Sequence, residues 1–339
     1  MPTRVLAVLP LLLLLTITGP PAADAGATAA PARAATPLDC AEPVGQTDTP
    51  PHPRLHRAVV VGTQVAVVVP PGYGEGSRRY PVLYLLHGAQ GDEDSWIEYG
   101  GLLEDSAARP RSDQAIVVMP KVGPFTGFAL DWVDGHRQDA TLIGERLVDW
   151  VDATFRTVPD RRHRAIAGYS GGGLSAAHLA ESYPEVFGQL GVFSGPVDLG
   201  EPVSQLAAFV MLEAEKLCAG AAPTSPGPLG SPTTHPAAWA AADPVRGAAA
   251  LRDTTVWLSS GNGVPCSLQD AGGLLTNPTA LTEPQMRRLT DSFSAALTAA
   301  GVTHTNRRRG CGLHWWTRWR PDLAEFWGVA ATEWRRARP

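Results

Sequence analysis

Apolar residues in this chain alternate between short, strand-like runs and longer segments in which they recur every three or four positions. The run AVVVGTQVAVVVPPGY is rich in β-branched residues and contains a glycine turn, which predicts a β-hairpin. Further strands are predicted in YPVLYLLHG, QAIVVMP, FGQLGVFSG, TTVWLSSGNG and VTHTNRR. Spacing and composition predict helices over residues 139–155, 174–182, 283–300 and 321–335.

This alternation predicts one α/β domain with a mostly parallel central sheet and helices on both faces. We assign it to residues 54–339, with an insertion rich in proline, glycine and alanine at about 201–244. The chain has 339 residues, of which 44% are hydrophobic and 18% charged, as expected for a globular protein. Its formal net charge of -5 argues against a nucleic-acid partner, which would favour a basic surface.

The N-terminal segment has the pattern of a secretory signal peptide. Arg4 precedes the apolar run VLAVLPLLLLLTITG, and small residues at positions 23 and 25 suit cleavage after Ala25. The run is shorter than the ~20 residues of a membrane-spanning helix, although an uncleaved anchor is the alternative. We predict a signal peptide over residues 1–25 and a flexible lead-in over 26–53. The mature protein is then secreted, outside the cell or in its envelope, without stable membrane insertion.

The cysteines fit export. In an oxidising compartment an even number of widely spaced cysteines, with no C-x-x-C pair, predicts two disulfides, and three pairings are possible. The four are Cys40, Cys218, Cys266 and Cys311. We favour Cys266 with Cys311, because each follows a late strand at the same edge of the predicted sheet. Such spacing indicates no metal site, and the sequence implies no cofactor.

The stretch HRAIAGYSGGGLSAAHLA places Ser170 between a short apolar strand and an alanine-rich helix. Residues 168–172 match G-x-S-x-G, the nucleophile elbow, in which a serine is held in a strained turn between small neighbours. A serine in an ordinary glycine-rich loop is the alternative. The α/β-hydrolase fold makes further demands by which the two can be distinguished.

An oxyanion hole needs the backbone N–H after the nucleophile and one that follows an earlier strand. The strand LYLLHG ends where this is required, so we assign the donors to the N–H groups of Ala89 and Gly171. The fold also demands the order nucleophile, acid, histidine. Of the histidines after Ser170, His314 in GCGLHWWTRW follows the last predicted strand, where a triad histidine belongs.

Two acidic residues could complete the set. Asp270 follows the strand VWLSSGNG, which is the usual position of the acid in this fold. Glu283 begins the next helix, where unpaired N–H groups keep a carboxylate ionised and suited to orient a histidine. These observations leave the choice between Asp270 and Glu283 open.

Several of these motifs, in this order, resemble the antigen 85 mycolyltransferase family and its "putative esterase" relatives within the α/β hydrolases. The resemblance rests on YLLHG, GYSGGG, HPAAWAAADP, SGNG, AAG and HWWTRW, which span most of the chain. In that family the acid is a glutamate on a helix ahead of AAG, and the histidine opens an H-x-W-x-x-W-like segment. The resemblance therefore implies a triad of Ser170, Glu283 and His314.

The chain also departs from that family. The mycolyltransferases it resembles carry an aspartate and an arginine that help hold trehalose, at the positions of His87 and Gln90 here, and a cysteine at the position of Ser260. We place His87 and Gln90 among the predicted substrate-binding residues. Trp96 and Trp315 join them, because their rings suit an apolar or carbohydrate-binding cleft.

These features predict a secreted serine carboxylesterase that forms an acyl-enzyme intermediate on a small-molecule, lipid or sugar ester. Transfer of the acyl group to a cell-envelope sugar such as trehalose is the second hypothesis. The changed residues His87 and Gln90 favour the hydrolase over it. A non-catalytic binding protein on a hydrolase scaffold is the third, although three intact triad residues argue against it. The acyl chain, the acceptor and the oligomeric state stay open.

Overall fold

A sheet of eight strands runs through the part of the chain that the computed structural model describes, which is residues 40, 49–273 and 278–337. The strands are β1 (Leu55–Val60), β2 (Thr63–Val68), β3 (Val82–Leu86), β4 (Ile116–Pro120), β5 (Arg164–Tyr169), β6 (Gln189–Phe193), β7 (Thr255–Ser260) and β8 (His304–Arg308). Their order in the sheet is β1-β2-β4-β3-β5-β6-β7-β8. The predicted signal peptide and most of the predicted lead-in lie outside the described residues.

The strand directions confirm the predicted hairpin and the mostly parallel sheet. β2 pairs antiparallel with β1 and with β4, whereas every other pair of neighbours, from β4 across to β8, is parallel. The carboxyl ends of β3, β5, β6, β7 and β8 therefore meet at one edge of the sheet. Open α/β sheets of this kind place their sites at that edge.

Helices follow most of the strands. They are α1 (Ser95–Glu98), α2 (Leu102–Ala107), α3 (Asp139–Thr141), α4 (Val148–Thr154), α5 (Gly171–Ser182), α6 (Pro202–Cys218), α7 (Pro236–Ala241), α8 (Pro244–Gly247), α9 (Leu268–Gly273), α10 (Glu283–Ala299) and α11 (Trp316–Arg336). The π-helical turns of Leu142–Leu147 join α3 to α4, so the predicted helix over 139–155 is one helical segment. None of the helices in the described ranges is long and apolar enough to cross a bilayer.

Helices cover both faces of the sheet because alternate side chains of its strands point to opposite sides. On β3, Tyr84 and Leu86 belong to a buried cluster that also contains residues of α4, α5 and α10. Leu83 and Leu85 belong to a second cluster, with residues of α1, α2 and α11. The all-apolar sequence of β3 is thus the mark of a central strand that is buried on both faces.

Two helices begin earlier than the sequence predicted. α5 begins at Gly171 rather than at Leu174, because the helix follows the elbow residue directly. α11 begins at Trp316 and contains Pro321, which the sequence pattern predicts as its first residue. Proline at this position cannot donate to the carbonyl of Thr317, and the side chain of Arg318 donates to that carbonyl instead.

The segment predicted as an insertion contains a helix that its composition concealed. α6 is capped by the side chain of Glu201, which accepts the N–H of Ser204, and it has a proline at its first turn. Its last residue, Cys218, forms a disulfide with Cys40. The second disulfide joins Cys266 to Cys311, as the sequence analysis favoured, so this pairing is confirmed.

Candidate active site

Ser170 lies between β5 and α5 in a backbone conformation that few residues adopt. Its φ is 52° and its ψ is -124°, a region that a residue with a Cβ enters only under strain. The turn is tight, because a Cβ on Gly168 would lie 2.2 Å from the carbonyl oxygen of Gly172. A Cβ on Gly172 would lie 2.4 Å from the carbonyl oxygen of His87. Both glycines of the G-x-S-x-G motif are needed for strand and helix to pass each other.

His314 lies within hydrogen-bonding distance of Ser170 and of Glu283. Its Nε2 is 2.9 Å from Ser170 Oγ, and its Nδ1 is 2.8 Å from Glu283 Oε2. An ionised carboxylate only accepts hydrogen bonds, so Nδ1 carries a proton and Nε2 accepts the hydroxyl proton of Ser170. Asp270, the other candidate acid, accepts the backbone N–H of Cys266. The structure therefore brings Ser170, His314 and Glu283 together.

Two groups that sequence analysis did not assign hold the other oxygen of Glu283. Oε1 accepts the hydroxyl proton of Ser194 at 2.7 Å, and it also accepts the backbone N–H of Gly261. The side chain of Glu283 is fully buried, and a buried carboxylate needs such partners to offset its lost hydration. Ser194 follows β6, and the only sequence signal for it is the Ser-Gly pair directly after this strand.

The residues predicted to supply the oxyanion-hole donors adjoin Ser170. The turn after β3 lies against Ser170, since a Cβ on Gly88 would come 3.0 Å from the Cβ of Ser170. Gly171 is the first residue of α5, where backbone N–H groups have no acceptor within the helix. Within the described ranges, neither the N–H of Ala89 nor that of Gly171 donates a hydrogen bond. Both donors are available to a ligand oxygen beside Ser170.

His87, predicted to bind substrate, is 2% exposed and uses both ring nitrogens within the chain. Its Nδ1 is 2.8 Å from the carbonyl oxygen of Gly88, and its Nε2 accepts the N–H of Val122 at 2.8 Å. Burial lowers the pKa of His87 to about 4, so the neutral ring donates at one nitrogen and accepts at the other. His87 thus ties the end of β3 to the loop after β4 and presents no polar atom to a substrate.

The other predicted substrate-binding residues differ in exposure. Trp96 is 1% exposed, and its Nε1 donates to the carbonyl oxygen of Leu86 at 3.2 Å, so its ring belongs to the core. Gln90 is exposed and has a positive φ of 58°. Trp315 is 38% exposed beside His314. Gln90 and Trp315 therefore keep surface that a substrate could contact.

Comparison with known sequences identifies relatives of this chain. Residues 61–328 match the family model described as "Putative esterase". An esterase of Mycobacterium tuberculosis is 28% identical over 249 residues, which are 71% of this chain and 50% of that protein. The diacylglycerol acyltransferase/mycolyltransferase Ag85A of Mycobacterium leprae is 27% identical over 278 residues, 76% of this chain and 78% of that protein. The chain spans about half the length of the first of these relatives.

Solved structures share the fold. MPT51 of Mycobacterium tuberculosis has a TM-score of 0.59 at 20% identity, over 82% of this chain and 98% of that one. An S-formylglutathione hydrolase of Agrobacterium tumefaciens has a TM-score of 0.57 at 18% identity, over 82% of this chain and 93% of that one. Identities this low establish the fold alone. Because the family model matches most of its length, the chain belongs to the "Putative esterase" family and has an α/β-hydrolase fold.

Proposed function

We propose that this chain is a serine carboxylesterase that works through an acyl-enzyme intermediate. The observation that carries the proposal is the series of contacts from Ser170 through His314 to Glu283, at a strained elbow. A histidine between a hydroxyl and a buried carboxylate is the arrangement that activates serine as a nucleophile. Membership of an esterase family supports the same class of reaction.

In the proposed reaction, His314 takes the proton of Ser170 while the serine oxygen attacks the ester carbonyl. Glu283 keeps the proton on Nδ1 and stabilises the imidazolium that forms. The N–H groups of Ala89 and Gly171 stabilise the tetrahedral oxyanion, by ~3 kcal/mol per donor in comparable sites. The imidazolium then protonates the leaving alcohol. Water, activated by the same ring, hydrolyses the acyl-enzyme and restores the serine.

The first test is hydrolysis of p-nitrophenyl esters from acetate to palmitate. We expect Ser170→Ala to lower kcat by at least about a thousandfold without loss of folding, because it removes the nucleophile. Ser182→Ala is the matched control, since this serine is exposed at the far end of the same helix and should leave kcat unchanged. Absence of any turnover that needs Ser170 would favour the non-catalytic binding protein. The rate profile along the ester series would measure the acyl chain that the site accepts.

Transfer of the acyl group to a sugar hydroxyl is the second proposal. The similarity to an acyltransferase/mycolyltransferase over 76% of this chain supports it, because the same acyl-enzyme can react with water or with an alcohol. Exposed Gln90 and Trp315 are the residues we propose to contact the acceptor or the acyl chain.

We also propose that the protein is exported after cleavage behind Ala25. The two disulfides support an oxidising compartment, and the sequence of residues 1–25 has the pattern of a signal peptide. N-terminal sequencing of protein from the culture medium should begin at Gly26, and thiol titration of the unreduced protein should find no free cysteine. Recovery of the protein in the membrane fraction with its N-terminus retained would support the membrane anchor instead.

A further inference from the structure

A loop of the chain lies against both proposed oxyanion-hole donors. We name residues 122–128 the Phe125 loop. The carbonyl oxygen of Phe125 accepts the N–H of Gln90 at 2.7 Å, directly after Ala89. The carbonyl oxygen of Thr126 lies 2.3 Å from where a Cβ on Gly171 would be, so it is pressed against the other donor residue. A shift of this loop would therefore move both donors.

The middle of the Phe125 loop is held by a carboxylate from a different part of the chain. Glu215 on α6 accepts the N–H of Phe125 at 3.0 Å and the N–H of Thr126 at 2.5 Å, both through Oε2. Its other oxygen lies 2.3 Å from the place of a Cβ on Gly123, which has a φ of +60°. The loop thus folds closely around the carboxylate.

Other groups hold the two ends of the loop. The N–H of Val122 donates to His87, and the carbonyl oxygen of Gly127 accepts the hydroxyl proton of Ser175. Neither contact involves the N–H groups of Phe125 and Thr126, the two residues that lie against the donors. Glu215 accepts both of these N–H groups.

Glu215 occupies its position at an energetic cost. The residue is 2% exposed, and burial raises the pKa of its carboxyl to about 7, which the Thr126 hydrogen bonds and Arg137 oppose and Asp139 reinforces. Within the described residues its Oε1 has no hydrogen-bond partner. The helix has an independent apolar anchor, since Ala208 and Leu212 belong to a buried cluster. A carboxylate that is costly to bury and not needed for packing indicates a role in the loop that it binds.

We propose that Glu215 is a positioning residue for the oxyanion hole: by fixing the Phe125 loop, it holds the N–H groups of Ala89 and Gly171 where the oxyanion forms. The inference rests on the proposed esterase function. α6 lies in the segment that the sequence analysis treated as an insertion. The proposal gives this helix a role in positioning the oxyanion-hole donors.

The kinetic test separates this role from a structural one. Oxyanion stabilisation acts in the transition state, so we expect Glu215→Ala to lower kcat about 10-fold to 100-fold and to leave KM within about twofold. Glu215→Gln should retain kcat within about threefold, because its amide oxygen can accept the same two N–H groups. Glu213→Ala removes a half-exposed carboxylate from the same helix and is the matched control. If Glu215→Ala unfolds, Glu215→Asp serves instead, since its shorter side chain cannot reach both donors.

A second measurement does not depend on activity. Amide hydrogen exchange in residues 88–91 and 122–128 should become faster in Glu215→Ala than in Glu213→Ala, and Glu215→Gln should resemble the wild type. Faster exchange in a protein that hydrolyses no ester would refute the esterase function and leave the positioning of the loop intact. Unchanged exchange, or Ser170-dependent turnover with an unchanged kcat in Glu215→Ala and Glu215→Asp, would overturn the proposal.

Discussion

Two serines at neighbouring strand ends share a positive backbone φ, which residues with a side chain seldom adopt. Ser170 has a φ of 52° after β5, and Ser194 has a φ of 51° after β6. Such a conformation costs of order 1–3 kcal/mol for a residue with a side chain. Hydrogen bonds from the Ser170 N–H to Phe193 and from the Ser194 N–H to Ser259 hold both turns in place. The strain is concentrated where one hydroxyl must reach His314 and the other Glu283.

The buried ring of His87 should make stability depend on pH. Its pKa in the folded chain, about 4, lies below the ordinary histidine pKa of 6.5, so between these pH values unfolding takes up a proton. The stability from this group is fully present above pH 6.5 and is lost as the pH falls towards 4, by roughly 3 kcal/mol. We expect the difference in unfolding free energy between wild type and His87→Gln to grow by about this amount from pH 4 to pH 7.

Urea titrations at several pH values would measure this difference. The wild type must be compared with the His87→Gln variant, because the titration of Glu215 changes the free energy of unfolding in the opposite direction. Its raised pKa of about 7 means that unfolding releases a proton between the ordinary carboxyl pKa and 7, so its contribution falls as the pH rises. A difference that stays constant from pH 4 to pH 7 would contradict a buried, neutral His87.

Parallel pairing of the strands brings the residues of the candidate site together. The pairs Leu86↔Gly168 and Tyr169↔Phe193 bring the ends of β3, β5 and β6 level, so that the residues after each strand become neighbours. The loop after β7 contributes Gly261, and the loop after β8 contributes His314. Of the three proposed triad residues, Glu283 alone lies in a helix, as the first residue of α10.

The Cys266–Cys311 disulfide should support catalysis by joining the loops that carry His314 and lead to Glu283. The two loops also share backbone hydrogen bonds, from Gly263 to Gly312 and from Gly312 to Val264. We expect replacement of both cysteines by serine to lower kcat about tenfold, because a loosened loop lets the histidine move from its productive geometry. Steady-state kinetics of the refolded double variant would measure the effect.

The other disulfide provides the control. Cys40→Ser with Cys218→Ser removes a cross-link between residues 178 positions apart, which should lower the free energy of unfolding by about 2–5 kcal/mol. It should lower kcat less than loss of the Cys266–Cys311 bond does, because neither cysteine lies in the loops of the proposed triad and Cys218 ends α6 beyond Glu215. Equal losses of kcat in the two double variants would show that the Cys266–Cys311 bond has no specific role.

For the whole molecule, the esterase and acyltransferase proposals differ in the nucleophile that releases the acyl group. In the mycolyltransferases that this chain resembles, charged side chains at two positions help hold trehalose. The residues at these positions here are His87, which is buried and neutral, and Gln90, which is uncharged. Hydrogen bonds to charged groups contribute about 1.5–3 kcal/mol each. We therefore expect hydrolysis to exceed transfer to trehalose by at least about tenfold.

Product analysis by mass spectrometry, with millimolar trehalose added to the ester assay, would measure this ratio. Ser170→Ala controls for uncatalysed exchange. Acyl trehalose as the main product would contradict the expectation and move the acyltransferase ahead of the esterase.

Much of the fold and part of the site could be predicted from local pattern. Strands such as β3 and β4 are short apolar runs with clear ends, and the order of motifs along the chain selects Ser170 and His314. The start of α11 was misplaced because Pro321 is an unfavourable residue inside a helix, and local signals favour it at the first turn. α6 was missed because proline and glycine around it dominate the composition of the segment.

Periodicity and glycine spacing are local properties, so the sheet, the elbow and the chemical types at the site can be predicted from the sequence alone. The packing of distant segments was needed to show that Glu283 rather than Asp270 contacts His314, that Ser194 donates to Glu283, and that His87 faces the chain. It also brought Glu215 to the Phe125 loop, 89 residues away in sequence. These contacts depend on which strand ends are adjacent and how deeply each side chain is buried, and both are fixed only when distant segments pack together.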